Sequence, residues 1–487
     1  MSAHDPPNSD QVTKHMLTLG GLLARVDDKQ SASSTLSVEG AVSVTITDVT
    51  SDSRAVQQGT LFCCLRGEQH DGHDFAQDAV ANGAAALLVD RRLNLDVPQI
   101  IASDTRQATG ILAAAFHDHP SRDLTVVGIT GTNGKTTTAH MLGAILTQHG
   151  QRTTVLGTLS GARTTPEAAE LQRTLADERS KGTKAVVMEV SSHALALQRV
   201  AGMQFAAATF TNLGHDHLDF HRTHDAYFAA KASLFTSNYT SRAIINRDDA
   251  FGQQIAEDCD VAVVSYGRSD ATDVAVGATG SAFSWRGARI WCTVGGDFNV
   301  LNALAAATTA AEIGIPVGDI AAGLGNLAQI PGRFENVNAN GNFVVLVDYA
   351  HTPEALRNVI AAARAVTDQR VIVVFGCGGD RDATKRPDMG AAAISADSVI
   401  VTSDNPRHED PQAIIDAIVA GVAPTHLHKV AVEVDRRQAI AMACTQAGSG
   451  DVVIIAGRGH EAVQTIAGRD IAFSDAEVAR ELLGVGS

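Results

Sequence analysis

The sequence predicts an α/β protein with three domains, and three observations support this class. Apolar segments of strand length, among them LTVVGIT, AVVMEV and DVVIIAG, alternate with longer segments of helical periodicity, which is typical of parallel sheets covered by helices on both faces. The chain has 487 residues, enough for roughly three domains of about 150 residues each. Hydrophobic residues make up 45% of the sequence and charged residues only 19%, so sizeable cores are expected and long disordered regions are not.

Charge and cysteine usage exclude several function classes. The net charge is −16 and no cluster of Lys and Arg offsets it, so neither nucleic acid nor an anionic membrane is an expected partner. The six cysteines show no C-x-x-C spacing, which favours reduced thiols and a cytoplasmic protein. No signal-like segment begins the chain and no apolar run approaches the ~20 residues of a bilayer span, so we predict no membrane insertion.

The first two domains are predicted over residues 1–121 and 122–330. In the first, strands in AVSVTITDV precede the helical pattern FAQDAVANGA and a strand in ALLVD, which indicates a small α/β domain. In the second, the strand LTVVGIT, a Gly-rich turn and the helix TTTAHMLGAILTQHG are followed by strands at RTTVLG, AVVMEV, AAATFTNL and AIINRDD. This order predicts a parallel sheet.

The third domain is predicted over residues 331–487 as a second doubly wound, Rossmann-like sheet. Its strands FVVLVDYA, RVIVVFG, SVIVTSD and DVVIIAG mostly lead into helix-like segments, and polar residues follow the strand ends. Because open α/β sheets bind ligands beyond the carboxyl ends of their strands, we expect a binding site there.

The turn after LTVVGIT has the composition of a phosphate-binding loop. Within VVGITGTNGKTTTAH, Gly134-Lys135-Thr136 ends a P-loop pattern, although Ile129 occupies the position of its first glycine. Gly131 and Gly134 allow backbone N–H groups to converge on an anion at a helix N-terminus. Lys135 is then expected to reach the β- and γ-phosphates, and the Thr136 hydroxyl to bind Mg²⁺. The alternative is an ordinary turn that contains Gly-Lys-Thr.

The variant glycine spacing points to a family. GITGTNGKTT resembles the signature G-x-T-G-T-N-G-K-T of the Mur ligases and of their folylpolyglutamate synthetase relatives. The resemblance implies an enzyme that uses ATP and Mg²⁺ to turn a carboxylate into an acyl phosphate, and then delivers an amine to form an amide. It also implies a UDP-sugar-binding first domain, an ATP-binding second domain and an amino-acid-binding third domain. The implied ATP-binding loop comprises Gly131, Thr132, Asn133, Gly134, Lys135, Thr136 and Thr137.

Residues suited to a divalent cation follow the ends of two predicted strands. Glu189 lies at the end of AVVMEV, and TNLGHDHLDFH follows the next strand. By spacing alone, the histidines of this segment and its neighbour fit either a zinc site or a solvated loop. These histidines are His215, His217, His221 and His224.

Lys231, in YFAAKASLF, would ordinarily be a surface lysine whose apolar stem packs along the protein. The family resemblance implies instead a buried lysine that is carbamylated by CO₂, which requires a neutral amine. It further implies that the Mg²⁺ ligands are Thr136, Glu189, His217 and the Lys231 carbamate. The implied catalytic residues are Lys135, Lys231, Glu189 and His217.

The resemblance also places nucleotide contacts outside the loop. Asn299 and Asn302, in GGDFNVLNALAA, are expected near the adenine. Arg333 of IPGRFE and Asp348 of VDYAHTPEAL would reach the nucleotide from the third domain, so we expect hinge closure to complete the site. Tyr349 and His351 accompany Asp348.

The acid substrate implied by the resemblance is UDP-N-acetylmuramoyl-L-alanyl-D-glutamate. TSDSRAVQQGTLFCCLRGEQHDGHDF is similar to the family segment that holds the UDP portion, whereas TTPEAAELQ and SSHALALQR supply candidates for the sugar-dipeptide. Taken alone, the serines and threonines fit turn and capping positions equally well. The implied contacts are Ser51, Ser53, Glu68, Gln69, His70, Thr164, Thr165, Ser191 and Arg199.

The implied amine substrate is meso-diaminopimelate. TSDNPRHEDP is similar to the D-N-P-R box of family members that use this amino acid. Arg407 and Arg381 would bind the distal carboxylate through charge-assisted hydrogen bonds, while AGRGHE would receive the distal ammonium group. Lysine lacks this carboxylate, so two guanidinium groups would stay unpaired. The implied contacts are Arg381, Asp404, Asn405, Pro406, Arg407, Gly457 and Glu461.

Three departures and several alternatives accompany this interpretation. The connection LSGAR, residues 159–163, is shorter than the family pattern and lies near the predicted sugar-peptide site. Leu197 stands where some relatives carry a polar residue, and Arg458 stands where lysine is common. The alternatives are a lysine-adding ligase, a ligase of the folylpolyglutamate synthetase type, a simple ATPase or kinase, and a catalytically inactive scaffold. We expect a monomer.

Overall fold

The computed structural model describes residues 16–27, 36–67, 70–214, 216–338 and 341–484. The chain divides into two compact units. The first comprises Met1–Leu124, Pro166–Gly182 and Ala194–Gln204, and the second Thr125–Thr165, Thr183–His193 and Phe205–Ser487. The domain boundaries after residues 121 and 330 stay a prediction.

The first unit contains a mixed five-stranded sheet. Its strands, in spatial order, are Leu36–Glu39, Gln99–Ala102, Ala86–Val89, Thr60–Cys63 and Asp48–Thr50, and only the first runs antiparallel to its neighbour. Leu17–Thr18 and Thr45–Ile46 form a separate antiparallel pair. Helices cover the sheet at Leu19–Leu23, Ala76–Ala81, Thr105–Phe116 and Ala168–Ser180. The predicted small α/β fold is confirmed here.

The second unit begins with the predicted parallel sheet. In spatial order its strands are Ala262–Tyr266, Arg242–Asn246, Ala207–Phe210, Thr125–Thr130, Ala185–Glu189 and Thr153–Leu156, all parallel. The central strands are buried on both faces, which explains their continuous apolar sequences. The helices of this unit that accompany the sheet are Lys135–Gln148, Leu218–His221, His224–Ala232, Ala250–Asp258, Asp297–Glu312 and Val317–Gly325, and the short helix Ser192–Ala196 contains the boundary between the two units.

A three-stranded antiparallel sheet between these helices was not predicted. It consists of Thr272–Val276, Ser281–Trp285 and Ala288–Cys292. Its sequence alternates buried and partly exposed positions, as expected for a sheet with one solvated face.

The same unit contains a second six-stranded sheet, which is formed by six further strands. Their order is Glu335–Asn336, Val344–Asp348, Val452–Ala456, Val371–Phe375, Ser398–Val401 and Val430–Val432, and all but the first pair are parallel. Val463–Ile466 and Arg469–Ala472 form a hairpin. The accompanying helices are Pro353–Arg364, Arg386–Ala393, Pro411–Val419, Arg436–Gln446 and Asp475–Leu483. The predicted Rossmann-like arrangement is therefore confirmed.

Short 3₁₀ turns complete the chain at Ser53–Ala55, Gly72–Phe75, Pro120–Arg122, Arg268–Asp270 and Pro424–Lys429. Within the described ranges, no helix combines the length and the apolarity needed to cross a bilayer.

Candidate active site

The predicted phosphate loop joins a central strand to a helix. The strand Thr125–Thr130 is followed directly by Gly131, and the helix Lys135–Gln148 begins four residues later. Gly131 and Gly134 have φ values of +151° and +85°, which disfavour residues with a side chain. A Cβ at Gly134 would also lie 2.3 Å from Oδ1 of Asn302. The two glycines are therefore required by the loop geometry.

Two lysines converge on this loop. Nζ of Lys135 and Nζ of Lys231 each donate to the carbonyl oxygen of Gly131 at 2.8 Å. Lys231 is only 1% exposed, and its Nζ lies 4.7 Å from the centroid of the Tyr227 ring. Burial, reinforced by the charge of Lys135, lowers the pKa of Lys231 well below that of an ordinary lysine. A neutral amine is accordingly favoured at this position.

The Glu189 carboxylate lies beside the first turn of the same helix. Its Oε2 accepts hydrogen bonds from the hydroxyls of Thr136 at 2.9 Å and Thr158 at 3.2 Å, and its Oε1 accepts from the Thr158 N–H at 2.8 Å. The residue is 1% exposed. A buried carboxylate surrounded by hydroxyl groups provides the hard oxygen donors that Mg²⁺ prefers.

His217 follows the neighbouring strand, as predicted. Its backbone is left-handed, with φ of +56°, and its Nε2 lies 3.4 Å from Oδ2 of Asp216. Burial lowers the pKa of His217 to about 3, although the Asp216 carboxylate opposes the shift. The imidazole is therefore neutral at physiological pH, which is the form that binds metal ions.

The structure gives no support to the zinc interpretation of the histidine cluster. Across the described ranges, no three His, Cys, Asp or Glu side chains come together as a metal site. His215 lies outside those ranges. Thr136, Glu189, His217 and Lys231 all line one cavity, however, and a Mg²⁺ ion that binds substrate phosphates needs few protein ligands.

This cavity has a volume of about 400 Å³ and includes residues from both sheets of the second unit. Nη2 of Arg333 donates to the Thr136 hydroxyl at 3.1 Å, and its guanidinium carbon lies 4.4 Å from the centroid of the Tyr349 ring. Asp348 accepts from the N–H groups of Phe334 and Ala350, and burial raises the pKa of its carboxyl group. Arg333 thus contacts the end of the phosphate loop, and Asp348 lines the same cavity.

The two predicted asparagines occupy the helix Asp297–Glu312. Nδ2 of Asn302 donates to Oδ1 of Asn299 at 2.9 Å, and Nδ2 of Asn299 donates to the Gly295 carbonyl at 2.7 Å. Asn302 lines the cavity, together with the apolar side chains of Phe298 and Leu301. This combination of a flat apolar wall and an amide suits a nucleobase.

The residues predicted to hold the UDP-sugar-dipeptide belong to both units. In the first, Ser51 and Ser53 flank Asp52, whose carboxylate caps the turn Ser53–Ala55. His70 is exposed and packs edge-on against Phe75. Glu68 and Gln69 lie outside the described residues.

Arg199 also belongs to the first unit. Its Nη2 lies 2.8 Å from Oε1 of Glu167. In the second unit, Thr164 and Ser191 line the cavity. Thr165 is buried, and its hydroxyl donates to the Glu189 carbonyl at 2.9 Å, so it supports the strand that carries Glu189.

The predicted amine site brings together three strand ends of the second sheet. A Cβ at Gly457 would lie 2.3 Å from Oδ2 of Asp404, and within the described chain this buried oxygen has no hydrogen-bond partner. Burial, with the negative charge of Asp404, raises the pKa of Glu461. These two carboxylates therefore suit a cationic ligand.

The two predicted arginines flank Gly378 in the same region. A Cβ there would lie 3.1 Å from Nη1 of Arg407 and 3.9 Å from Cγ of Arg381. Asn405 supports the D-N-P-R box, since its Oδ1 accepts from the Thr465 N–H at 3.0 Å. Pro406 is buried beside it. Two guanidinium groups and two carboxylates thus lie in adjacent loops at this edge of the sheet.

Sequence reasoning missed several residues that line the cavity or contact its lining. Asp216 lies beside His217, and its Oδ2 is 3.7 Å from Nε2 of His351. Thr158 contacts Glu189, and the Tyr227 hydroxyl lies 2.9 Å from that of Thr132. Asp216 could have been found as the neighbour of His217, but Thr158 and Tyr227 depend on contacts between distant segments.

Three family models match the chain. They are described as Mur ligase family, catalytic domain, over residues 45–121; Mur ligase middle domain, over 129–310; and Mur ligase, glutamate ligase domain, over 332–459. The chain is 42% identical over 460 residues to the UDP-N-acetylmuramoyl-L-alanyl-D-glutamate--2,6-diaminopimelate ligase of Bacillus velezensis, covering 89% of this chain and 93% of the relative.

Two further comparisons agree with that match. Identity to the Gloeobacter violaceus ligase of the same name is 45% over 468 residues, covering 90% of this chain and 94% of the relative. A solved structure of a UDP-N-acetylmuramoyl-L-alanyl-D-glutamate--2,6-diaminopimelate ligase has a TM-score of 0.65 and 33% identity, covering 90% of this chain and 95% of that one.

Proposed function

The chain belongs to the Mur ligase family, and we propose that it joins meso-diaminopimelate to UDP-N-acetylmuramoyl-L-alanyl-D-glutamate with hydrolysis of ATP to ADP and phosphate. One observation carries this proposal: the same unit contains two features that the reaction needs. The first is a phosphate loop next to a buried carboxylate, and the second is a candidate amine site with two arginines and two carboxylates. The reaction forms a precursor of peptidoglycan, so the enzyme acts in cell wall biogenesis and contributes to cell shape and division.

ATP binding is assigned to the loop that follows Thr125–Thr130. Its N–H groups face the phosphates at a helix N-terminus, where the helix dipole favours anions. Lys135 supplies the positive charge beside the γ-phosphate, and Arg333 adds a second charge from the other sheet. Asn302 and Phe298 hold the base.

The first chemical step joins the glutamyl carboxylate to the γ-phosphorus. A carboxylate oxygen attacks phosphorus, the bond to the bridging oxygen breaks, and ADP leaves with that electron pair. Lys135 and Arg333 stabilise the charge that develops on the γ-phosphate oxygens. The cavity walls hold the two anionic reactants in line, which removes much of the entropic barrier.

Mg²⁺ fits the donors that surround Glu189. Thr136, Glu189, His217 and Lys231 as the carbamate would hold it. When bound, the ion offsets the repulsion between the carboxylate and the γ-phosphate. The chain prepares this site by burying the Glu189 carboxylate against two hydroxyls and by keeping His217 neutral.

Lys231 is proposed to react with CO₂. Its neutral Nζ attacks the carbon of CO₂, a C–N bond forms, and one proton is released to give a carbamate. The change replaces a neutral amine with an anion next to Lys135. The Lys135 ammonium group donates to the same carbonyl oxygen as Nζ of Lys231, so it gains an opposite charge beside it.

The second step delivers the amine of diaminopimelate to the acyl phosphate. The amine nitrogen attacks the carbonyl carbon, phosphate leaves with the original carboxylate oxygen, and the nitrogen loses a proton. Arg381 and Arg407 hold the distal carboxylate, and Asp404 and Glu461 hold the distal ammonium group. This arrangement favours diaminopimelate over lysine, since lysine leaves both arginines unpaired.

The UDP-sugar-dipeptide is proposed to contact Ser51, Ser53, Glu68, Gln69, His70, Thr164, Thr165, Ser191 and Arg199. Hydroxyl and guanidinium donors suit its diphosphate and carboxylate groups. Because ATP and UDP-activated sugars are cytoplasmic metabolites, the proposal places the enzyme in the cytoplasm. We propose that it acts as a monomer.

The direct test is phosphate release by the purified protein with ATP, Mg²⁺ and UDP-N-acetylmuramoyl-L-alanyl-D-glutamate. Phosphate is expected with meso-diaminopimelate and at a far lower rate with L-lysine at the same concentration. Equal rates would favour a broader or lysine-adding ligase. No phosphate with either amine would contradict the proposed function.

A further inference from the structure

The two arginines of the amine site come from different loops. Arg381 lies between Val371–Phe375 and the helix Arg386–Ala393, whereas Arg407 follows Ser398–Val401. Both side chains flank Gly378. The distance between their guanidinium groups therefore depends on how firmly the two loops are joined.

One carboxylate oxygen joins these loops. Oε1 of Glu409 accepts from Nη2 of Arg386 at 2.8 Å and from the backbone N–H of Asp380 at 2.7 Å. Arg386 is buried and begins the helix Arg386–Ala393, so it is anchored on a rigid element. Asp380 immediately precedes Arg381, and Glu409 lies two residues after Arg407. The bond thus connects residues that lie within two positions of each arginine.

The backbones of the two loops are packed against each other. The N–H of Gly379 donates to the Asn405 carbonyl at 2.9 Å, and the Arg407 guanidinium donates to the Gly379 carbonyl. A Cβ at Gly379 would lie 2.0 Å from the carbonyl oxygen of Pro406. There is consequently no room for another side chain between the loops at this point.

Two residues of these loops have unfavourable backbone conformations. Asp380 and Arg407 have φ values of +52° and +54°, in the left-handed region that disfavours residues other than glycine. Such conformations persist where surrounding contacts impose them, and they concentrate at functional sites. Because Glu409 bonds directly to the N–H of Asp380, it is one of those contacts.

We propose that Glu409, acting with Arg386, is a positioning residue that sets the spacing of Arg381 and Arg407 for the distal carboxylate of the amine substrate. This inference rests on the proposed function, because it assumes a diamino acid with a second carboxylate. Arg386 also holds the pKa of Glu409 below its usual value, so the carboxylate is ionised at neutral pH and the link persists under assay conditions.

The test compares Glu409→Ala with wild type under saturating ATP and sugar-dipeptide. Loss of a charged hydrogen-bonding partner is expected to raise the KM for meso-diaminopimelate at least about 10-fold, because the two guanidinium groups are no longer held at the right separation. The kcat at saturating meso-diaminopimelate and the KM for ATP should stay within about 3-fold, since neither depends on the spacing of the arginines.

Three further variants separate positioning from general destabilisation. Glu409→Gln keeps an oxygen acceptor, so its KM for meso-diaminopimelate should lie between those of wild type and Glu409→Ala. Arg386→Met should raise this KM as much as Glu409→Ala does. Glu481→Ala is the matched control, because it removes an exposed ion pair with Arg437 elsewhere in the same sheet domain. It should leave every kinetic constant unchanged.

The outcomes distinguish this inference from the proposed function. An active wild-type enzyme whose Glu409→Ala variant keeps its KM for meso-diaminopimelate overturns the positioning role alone. A variant whose kcat falls and whose KM for ATP rises by similar factors also overturns it, since that pattern indicates a structural defect. If Glu409→Ala does not fold, the same readouts are taken from Glu409→Gln and Arg386→Lys. A wild-type protein that is inactive with meso-diaminopimelate overturns the proposed function itself.

Discussion

Lys135 and Lys231 both donate a hydrogen bond to the carbonyl oxygen of Gly131, each at 2.8 Å. Two ammonium groups on one oxygen repel each other, and both lysines have a lowered pKa, for which burial is the first cause. Lys135 is bound to the phosphate loop and is expected to meet ATP. Lys231 is consequently the amine that is expected to be neutral and to accept a modification that makes it negative.

Lys231→Ala is expected to lower kcat by at least about 100-fold, the scale of losing a group that supports metal-assisted charge stabilisation. Because alanine leaves a small space where the carbamate would be, added short-chain carboxylic acids should restore part of the activity. The measurement is phosphate release with and without acetate or propionate. Lys184→Ala, at an exposed lysine, serves as control. Full activity of Lys231→Ala without any added acid would refute the carbamate.

Glu189→Gln is expected to lower kcat by about 100-fold or more, since the neutral amide retains the shape but loses the charge that binds a divalent cation. The Mg²⁺ concentration needed for half-maximal activity should rise at the same time. Both quantities come from Mg²⁺ titrations of phosphate release, with Glu257→Gln as a control at an exposed glutamate. An unchanged Mg²⁺ requirement would remove Glu189 from the metal site.

Arg407→Ala is expected to reduce kcat/KM for meso-diaminopimelate at least about 10-fold, consistent with the ~1.5–3 kcal/mol of a charged hydrogen bond. Arg407→Lys should restore little, because lysine cannot reproduce the planar fork of a guanidinium group. Steady-state kinetics with the amine as the varied substrate provide the measurement, and Arg437→Ala is the control. Unchanged turnover of Arg407→Ala would remove the argument for diaminopimelate specificity.

The raised pKa of Glu461 predicts a pH dependence. Burial and the Asp404 charge raise it above the ordinary 4.5, so Glu461 takes up a proton at higher pH than a free carboxylate and loses its attraction for an ammonium group. The kcat/KM for meso-diaminopimelate should therefore fall as the pH is lowered, with a midpoint above that of a free glutamate. Glu461→Gln should lack this midpoint, and a variant with the wild-type profile would contradict the assignment.

Arg436 and Asp475 form an ion pair in which both side chains are 0% exposed. Asp475→Ala is expected to lower the free energy of unfolding by about 3–5 kcal/mol, because it leaves a buried guanidinium group without its partner. Arg436 also donates to the carbonyls of Ser403 and Ala456, which precede Asp404 and Gly457. Thermal unfolding should show a clear decrease in Tm, whereas Glu481→Ala should leave it nearly unchanged.

Much of the fold could be predicted because its strands are locally distinctive. The segment Val371–Phe375 is entirely apolar and entirely buried, and Thr125–Thr130 leads directly into the glycines of the phosphate loop. The strands between residues 272 and 292 could not be predicted in the same way, since they have one solvated face and no motif. The two-residue strand Glu335–Asn336 exists only because Val344–Asp348 lies beside it.

In the candidate site, too, some residues could be predicted from the local sequence and others could not. The positions of Glu189 and His217 could be predicted because Glu189 ends one strand and His217 follows the next strand within a few residues. The role of Thr158 depends on two strands being neighbours, with Leu156 opposite Met188, and no local pattern contains that pairing. Likewise, the link from Glu409 to Asp380 joins residues separated by a strand and a helix.

The central claim is that ATP activates the glutamyl carboxylate as an acyl phosphate, which diaminopimelate then captures. The most direct measurement uses UDP-N-acetylmuramoyl-L-alanyl-D-glutamate carrying a heavy oxygen isotope in that carboxylate, with mass spectrometry of both products. We predict that one heavy oxygen appears in the released phosphate and that the labelled muropeptide gains the mass of diaminopimelate less one water that carries the heavy oxygen. Phosphate free of the label, or a muropeptide of unchanged mass, would contradict the claim.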